Sequence, residues 1–253
     1  MSFWLNILKS LAGWIFVALG TIFFNLIGFI LFPFSFIFEG GKRGSIHAIS
    51  HFWARCIAGF LPFWKVRTEG LERIKKGKAY VVVSNHQSLL DILMVLAYLP
   101  IHFKFIAKRE LFWIPFFGWH LSLAGYIPLK RGDRASGKTA MEKAQSWVCR
   151  GVSVLFFPEG TRSPDGEIHE FKPGAFKVAL EEKAEILPIV ITGTRDVIRK
   201  HSWVVRQQTE LGLEVLEPIS TQGISLENLN GLREKVENNI RTQFEKKRRQ
   251  THV

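Results

Sequence analysis

The chain opens on an apolar run. No charged residue occurs between Lys9 and Glu39, and the stretch from Leu11 to Phe38 is dominated by Leu, Ile, Phe, Val and Ala. A spanning helix needs about 20 apolar residues, so this run is long enough to cross a bilayer. It is too long for a signal-peptide core, and no small-residue cleavage site follows it. Gly20, Asn25, Gly28 and Pro33 interrupt the run, and they allow either a tilted, kinked span or a re-entrant hairpin. A different pattern follows. Ile46, Ile49, Trp53, Cys56, Ile57 and Phe60 recur at helical spacing, with His47, Ser50, His51 and Arg55 mostly between them. That spacing predicts an amphipathic helix suited to the membrane interface.

From residue 66 onward, short apolar runs alternate with helical stretches. Strands are predicted at 79–84, 103–107, 126–129, 152–157, 186–192 and 211–215, several of them unbroken apolar runs such as strands buried on both faces require. Ala140, Met141, Ala144, Trp147 and Val148 share one helical face, and Gly151 is placed to end that helix. Leu229, Leu232, Val236, Ile240 and Phe244 form a last stripe that trails into Lys246, Lys247, Arg248 and Arg249. The alternation predicts an α/β fold with a mainly parallel sheet flanked by helices. Residues 1–63 read as a membrane-embedded helical segment ahead of a body at 64–253, and no internal repeat is evident.

Composition adds a partner. The 253 residues include 22 Phe and 8 Trp beside only 3 Tyr, more apolar aromatic surface than a small core needs and suited to lipid contact. The formal charge of +12 draws the chain toward polyanions. No helix-turn-helix, zinc finger or RNA-binding signature accompanies it, so membrane lipids rather than nucleic acid are the expected partner. Lys42, Arg43 and Arg55 follow the apolar run whereas only Lys9 and the amino terminus precede it, which puts the body on the cytoplasmic side. Cys56 and Cys149 are expected to be reduced, and no Cys or His spacing suggests a metal site.

Candidate chemistry sits at three strand ends. Asn85-His86-Gln87-Ser88-Leu89-Leu90-Asp91 directly follows the strand predicted at 79–84. On an ideal helix His86 and Asp91 would lie about 140° apart. They can meet if His86 occupies the strand-to-helix turn and Asp91 the helix beyond it. An aspartate accepting from one ring nitrogen fixes the tautomer and frees the other nitrogen as a general base. Standing alone, such a pair is more often a cap and a solvated acid. Phe157-Pro158-Glu159-Gly160-Thr161-Arg162 also leaves a strand end and enters a glycine-containing turn, where Arg162 offers a fork of donors to phosphate. Lys172 adds a second cation. Lys108-Arg109, followed by Pro115-Phe116-Phe117-Gly118, reads as a phosphate anchor beside an apolar surface for an acyl chain or membrane.

Together these blocks, with Ile186-Leu187-Pro188-Ile189, resemble the glycerolipid acyltransferase family over about residues 64–193. The histidine–four–aspartate box at His86 and Asp91 is part of the match, and four blocks in one order are far more specific than any one. The resemblance implies transfer of a fatty acyl group to the free hydroxyl of a 1-acylglycerol 3-phosphate, with His86 as base and Asp91 orienting it. It further implies that Lys108 and Arg162 hold the acceptor's phosphate while Glu159, Gly160 and Thr161 shape the acceptor site. Acyl-CoA or acyl carrier protein would be the co-substrate, with no cofactor or metal, and a membrane such as a bacterial inner membrane the setting. Glycerol 3-phosphate or another lysolipid is the alternative acceptor. One departure stands out: many relatives carry an acidic residue before the arginine where this chain has Leu129-Lys130-Arg131, a difference that bears on surface charge or headgroup preference.

Two rivals of other classes must be weighed. Gly132 to Thr139 satisfies the P-loop pattern GxxxxGK[ST] and precedes a predicted helix. A P-loop is fed by a buried apolar strand, whereas Pro128, Lys130 and Arg131 intervene here, and chance yields the pattern in roughly 1% of chains this long. A serine hydrolase would need a nucleophile elbow, and no GxSxG occurs.

Overall fold

The structure, a computed structural model, describes residues 2–60, 64–198, 202–205 and 209–251. Its centre is a seven-stranded sheet: β1 (Trp64–Glu69), β2 (Val81–Ser84), β3 (Phe103–Lys108), β4 (Ile127–Leu129), β5 (Ser153–Phe156), β6 (Ile186–Thr192) and β7 (Thr209–Val215) in the order β1-β7-β6-β2-β5-β3-β4. All neighbours are parallel except β6 and β7. Buried apolar side chains alternate between the two faces, as a pleated strand demands. Val82 and Leu155 join one apolar layer; Val81, Val83, Val154 and Phe156 join the other. The six predicted strands are all present within two residues at each end. β1 is the addition. It is an edge strand whose Lys65, Arg67 and Glu69 are exposed, so it lacks the apolar run by which the others are recognised.

Helices α5 (Arg134–Cys149), α6 (Gly174–Glu181) and α8 (Leu229–Thr251) cover one face. Gly151, in the left-handed region at φ 76°, closes α5 as its position implies. The basic end of α8 is tied down on the body, with Lys247 bonded to Glu69 at 2.6 Å and Arg248 to Glu167 at 2.6 Å. The other face carries α3 (Leu90–Tyr98), α4 (Phe117–Leu123) and α2 (Gly44–Phe60), whose Ile46, Ile49, Ala54 and Ala58 share the sheet's own apolar core. The side chain of Phe60 and residues 61–63, where the division at 63 falls, lie outside the described residues. Cys56 and Cys149 are free thiols. Beneath α2, Lys104 is fully buried and bonds His102 Nε2 at 3.0 Å. Burial first, then the Arg43 charge, brings its ammonium down to about 7.

The apolar run is one unbroken helix, α1 (Ser2–Phe38), continuous through Gly20, Asn25, Gly28 and Pro33, so no hairpin forms within it. Leu8, Leu11, Ile15, Leu19, Leu26, Ile30 and Ile37 make an exposed stripe along it. The opposite side is fastened to the body near both ends. Ser10 Oγ accepts from the Val205 N–H at 2.9 Å and Trp14 Nε1 donates to the Trp203 carbonyl at 2.8 Å. Just past the far end, Arg43 donates to the Ser122 carbonyl at 2.7 Å. A helix of 37 residues is about 55 Å long, so α1 is laid along the body with its apolar stripe facing outward.

Candidate active site

Five parallel strands, β6, β2, β5, β3 and β4, point their carboxyl ends the same way, and open α/β sheets bind ligands at such ends. β2 delivers Asn85, whose side-chain amide bonds both the N–H and the carbonyl of Ile191 at 2.9 and 2.8 Å. That clamp fixes the turn beyond β2 against β6. His86 follows in the turn, four residues ahead of the start of α3, and Asp91 sits in the first turn of α3. The ring Nδ1 donates to Asp91 Oδ2 at 2.7 Å. A carboxylate only accepts, so the neutral ring carries its hydrogen on Nδ1 and presents Nε2 as a base. The imidazole stacks on Phe157, with centroids 4.1 Å apart.

Asp91 is fully buried and completely engaged. Oδ2 also accepts from the backbone N–H groups of Gln87 and Ser88, at 2.6 and 2.8 Å. Oδ1 accepts from the Thr194 hydroxyl at 2.6 Å. Thr194 stands directly beyond β6 and lies 103 positions from Asp91, so nothing in the sequence couples them; it is a positioning residue that sequence reading misses. Thr194→Val leaves Oδ1 buried without its donor, a loss of about 1–3 kcal/mol. We expect kcat to drop by roughly tenfold at unchanged acceptor KM, with Thr194→Ser restoring it. Equal losses in the serine and valine variants would show that shape, not the hydroxyl, matters here.

Glu159 is built into the loops around His86. It is 5% exposed, and its carboxylate ties two loops together by accepting from the His86 N–H at 2.7 Å and the His169 N–H at 3.1 Å. Burial pushes this carboxyl up to about 7 against the lowering effect of those donors. It therefore braces the His86 turn. Gly160 is left-handed at φ 74°, and a Cβ there would come within 2.5 Å of Lys172 Nζ, so the ammonium lies directly over the glycine. Thr161 is exposed, and Arg162 is half-buried at the same rim.

Lys108 ends β3 and is ion-paired to Glu110 at 3.6 Å. In the parallel register it sits opposite Leu129, two residues before Arg131. Partial desolvation and then the positive charge of Arg162 hold the Arg131 guanidinium below its ordinary value, so the two arginines lie within electrostatic reach of each other. Lys108, Arg131, Arg162 and Lys172 thus all lie at the carboxyl end of the parallel strands. Sequence reading leaves Arg131 between surface charge and headgroup preference, because the adjacency of β3, β4 and the loop after β5 is not legible from spacing. Among the described residues no three Asp, Glu, His or Cys side chains converge as a metal site.

The P-loop pattern forms no phosphate cradle. Its residues 134–139 are already helical in α5, Asp133 caps that helix by accepting from the Ser136 N–H at 3.0 Å, and Lys138 is exposed beside Glu142. The loop amides that would wrap a phosphate are instead spent on the helix.

Comparison with known proteins agrees with this architecture. The acyltransferase family profile matches residues 65–192. A chloroplastic 1-acyl-sn-glycerol-3-phosphate acyltransferase of Arabidopsis thaliana is 38% identical over 188 residues, 74% of this chain and 52% of that protein. A 1-acyl-sn-glycerol-3-phosphate acyltransferase of Cocos nucifera is 32% identical over 232 residues, 89% of this chain and 71% of its own. The crystal structure of the 1-acyl-sn-glycerophosphate acyltransferase of Thermotoga maritima superposes with a TM-score of 0.83 at 31% identity over 98% of both chains. This chain spans about half the length of the chloroplast relatives it matches. With the profile covering half of its residues and relatives above 30% identity matched over most of their length, the chain belongs to the acyltransferase family.

Proposed function

We propose that this protein transfers a fatty acyl group from a thioester, acyl-CoA or acyl carrier protein, to the free hydroxyl of 1-acylglycerol 3-phosphate, giving phosphatidate. The observation that carries this reading is the His86–Asp91 hydrogen bond at the same strand ends that carry Lys108, Arg131 and Arg162. Arg162, Lys108 and Arg131 hold the acceptor's phosphate, which brings the hydroxyl to His86 Nε2. The imidazole takes the hydroxyl proton as the oxygen bonds to the thioester carbon, and Asp91 stabilises the imidazolium. The C–S bond then breaks and the proton passes from the imidazolium to the departing thiolate. A thiolate leaves readily, so the chain's own groups suffice and no cofactor beyond the thioester takes part. The protein works at a membrane, held by the apolar stripe of α1, with the strand ends open to the cytoplasmic side.

The test is labelled acyl transfer from both donors to lysophosphatidate, glycerol 3-phosphate and neutral lysolipids, using the full-length protein in lipid-supplemented detergent. Transfer is expected to lysophosphatidate. Arg162→Ala and Arg131→Ala should each raise its KM by about 10–100-fold with kcat close to wild type, as loss of a charge-assisted hydrogen bond implies. An acceptor KM that stays the same in both variants would remove the phosphate assignment, and a preference for an uncharged acceptor would remove the substrate class.

A further inference from the structure

The described surface carries a second concentration of exposed apolar side chains, outside α1, on the segment between β3 and α4. Trp113 is 67% exposed, and Ile114 and Trp119 are 45% and 46% exposed. Single exposed apolar residues are ordinary, but contiguous patches mark a partner. The Trp119 ring packs on Phe116 at 4.9 Å between centroids and reaches Phe29 of α1 at 6.4 Å. The patch therefore runs into the exposed stripe of α1 without a break.

The backbone that carries these side chains is tightly constrained. Gly118 lies so close to the Phe112 carbonyl that a Cβ would come within 2.2 Å of its oxygen. Phe116 holds a left-handed φ of 62°, a conformation that an aromatic residue keeps only where its surroundings impose it. The exposure is built into the loop. The rim then selects the occupant. The Arg109 guanidinium lies 5.6 Å from the centre of the Trp113 ring, with Lys108 beside it in the chain. Tryptophan rings at the level of lipid headgroups, with cations reaching to the phosphates, are the arrangement a bilayer interface favours.

We propose that residues 113–119 form a second lipid-contacting surface, seated in the headgroup region of an anionic bilayer together with the stripe of α1. The inference rests on the membrane association proposed for α1 and adds an orientation to it. This loop starts from the strand that Lys108 ends, so the phosphate-binding rim faces the headgroups.

The experiment uses the full chain and a Trp113→Phe/Trp119→Phe double variant, which removes two fluorophores while keeping apolar aromatic surface. Both proteins are bound to phosphatidylcholine–phosphatidylglycerol vesicles, with and without bromine near the headgroup end of one acyl chain. The emission lost on substitution, obtained by difference, should be quenched about twofold by brominated lipid, as interfacial depth requires, and be shielded from aqueous iodide. Emission open to iodide and untouched by bromine overturns the proposal. So does emission shielded from both, which means that a second copy or another protein covers the patch, and so does failure of the wild type to bind vesicles. Fluorescence does not depend on turnover. A protein that transfers no acyl group but is quenched by lipid keeps this surface and loses the reaction proposed above, and an active protein with unquenched tryptophans does the reverse.

Discussion

His86→Ala is expected to lower kcat by about 10³–10⁴ in labelled acyl transfer to lysophosphatidate, with the melting midpoint close to wild type. The activity loss follows because the proposed base is the imidazole held by Nδ1 against the buried Asp91 carboxylate. Stability is retained because the contacts that hold this turn are made by backbone. The His86 N–H donates to Glu159 and the His86 carbonyl accepts from the Ser163 N–H at 2.8 Å, and both survive truncation of the ring. What is lost is the stack on Phe157 of a side chain already 12% exposed and one of the three hydrogen bonds to Asp91 Oδ2, which keeps its donors from Gln87 and Ser88. A variant that keeps more than about a tenth of the turnover would show that the proton leaves by another route.

The second large effect separates charge from geometry. Asp91→Asn is expected to fold and to lose about 10²–10³ in kcat, whereas Asp91→Ala should lose activity and about 2–4 kcal/mol of stability as well. Where a carboxylate meets only its histidine, asparagine can turn its NH₂ to the ring and impose the wrong tautomer, at about 10⁴ in kcat. Here that turn is blocked. Three N–H donors, from His86, Gln87 and Ser88, converge on Oδ2, so the amide must put its oxygen there. Its NH₂ then faces Thr194, whose hydroxyl can rotate and accept. The tautomer survives and only the negative charge under the imidazolium is lost. Alanine instead strands buried N–H groups. Thermal unfolding measured beside kcat distinguishes the cases: an asparagine variant that unfolds like the alanine one would contradict the donor count.

Much of this was legible before any coordinates, for a physical reason in each instance. Strands buried on both faces must be apolar throughout, so β2, β5 and β6 announce themselves in the sequence. β1 does not, because an edge strand can carry Lys65, Arg67 and Glu69 into solvent. The His86–Asp91 pair was readable because only four residues separate its members and one turn connects them. That Glu159 also braces the turn was not readable, because the His86 and His169 amides it binds are brought to it only by folding.

By itself the sequence determined the α/β class, the apolar helix, and the residues from which a base and a phosphate site could be built, since periodicity, residue chemistry and short spacings are local properties. Only the tertiary structure decided that α1 is one helix laid along the body, because Gly28 and Pro33 permit both a bend and a straight run, and contacts such as Trp14 to Trp203 select between them. It alone brought Thr194 to Asp91 and Arg131 to Arg162. Those neighbours are set by the order in which the strands pair, and no pattern along the chain records that order.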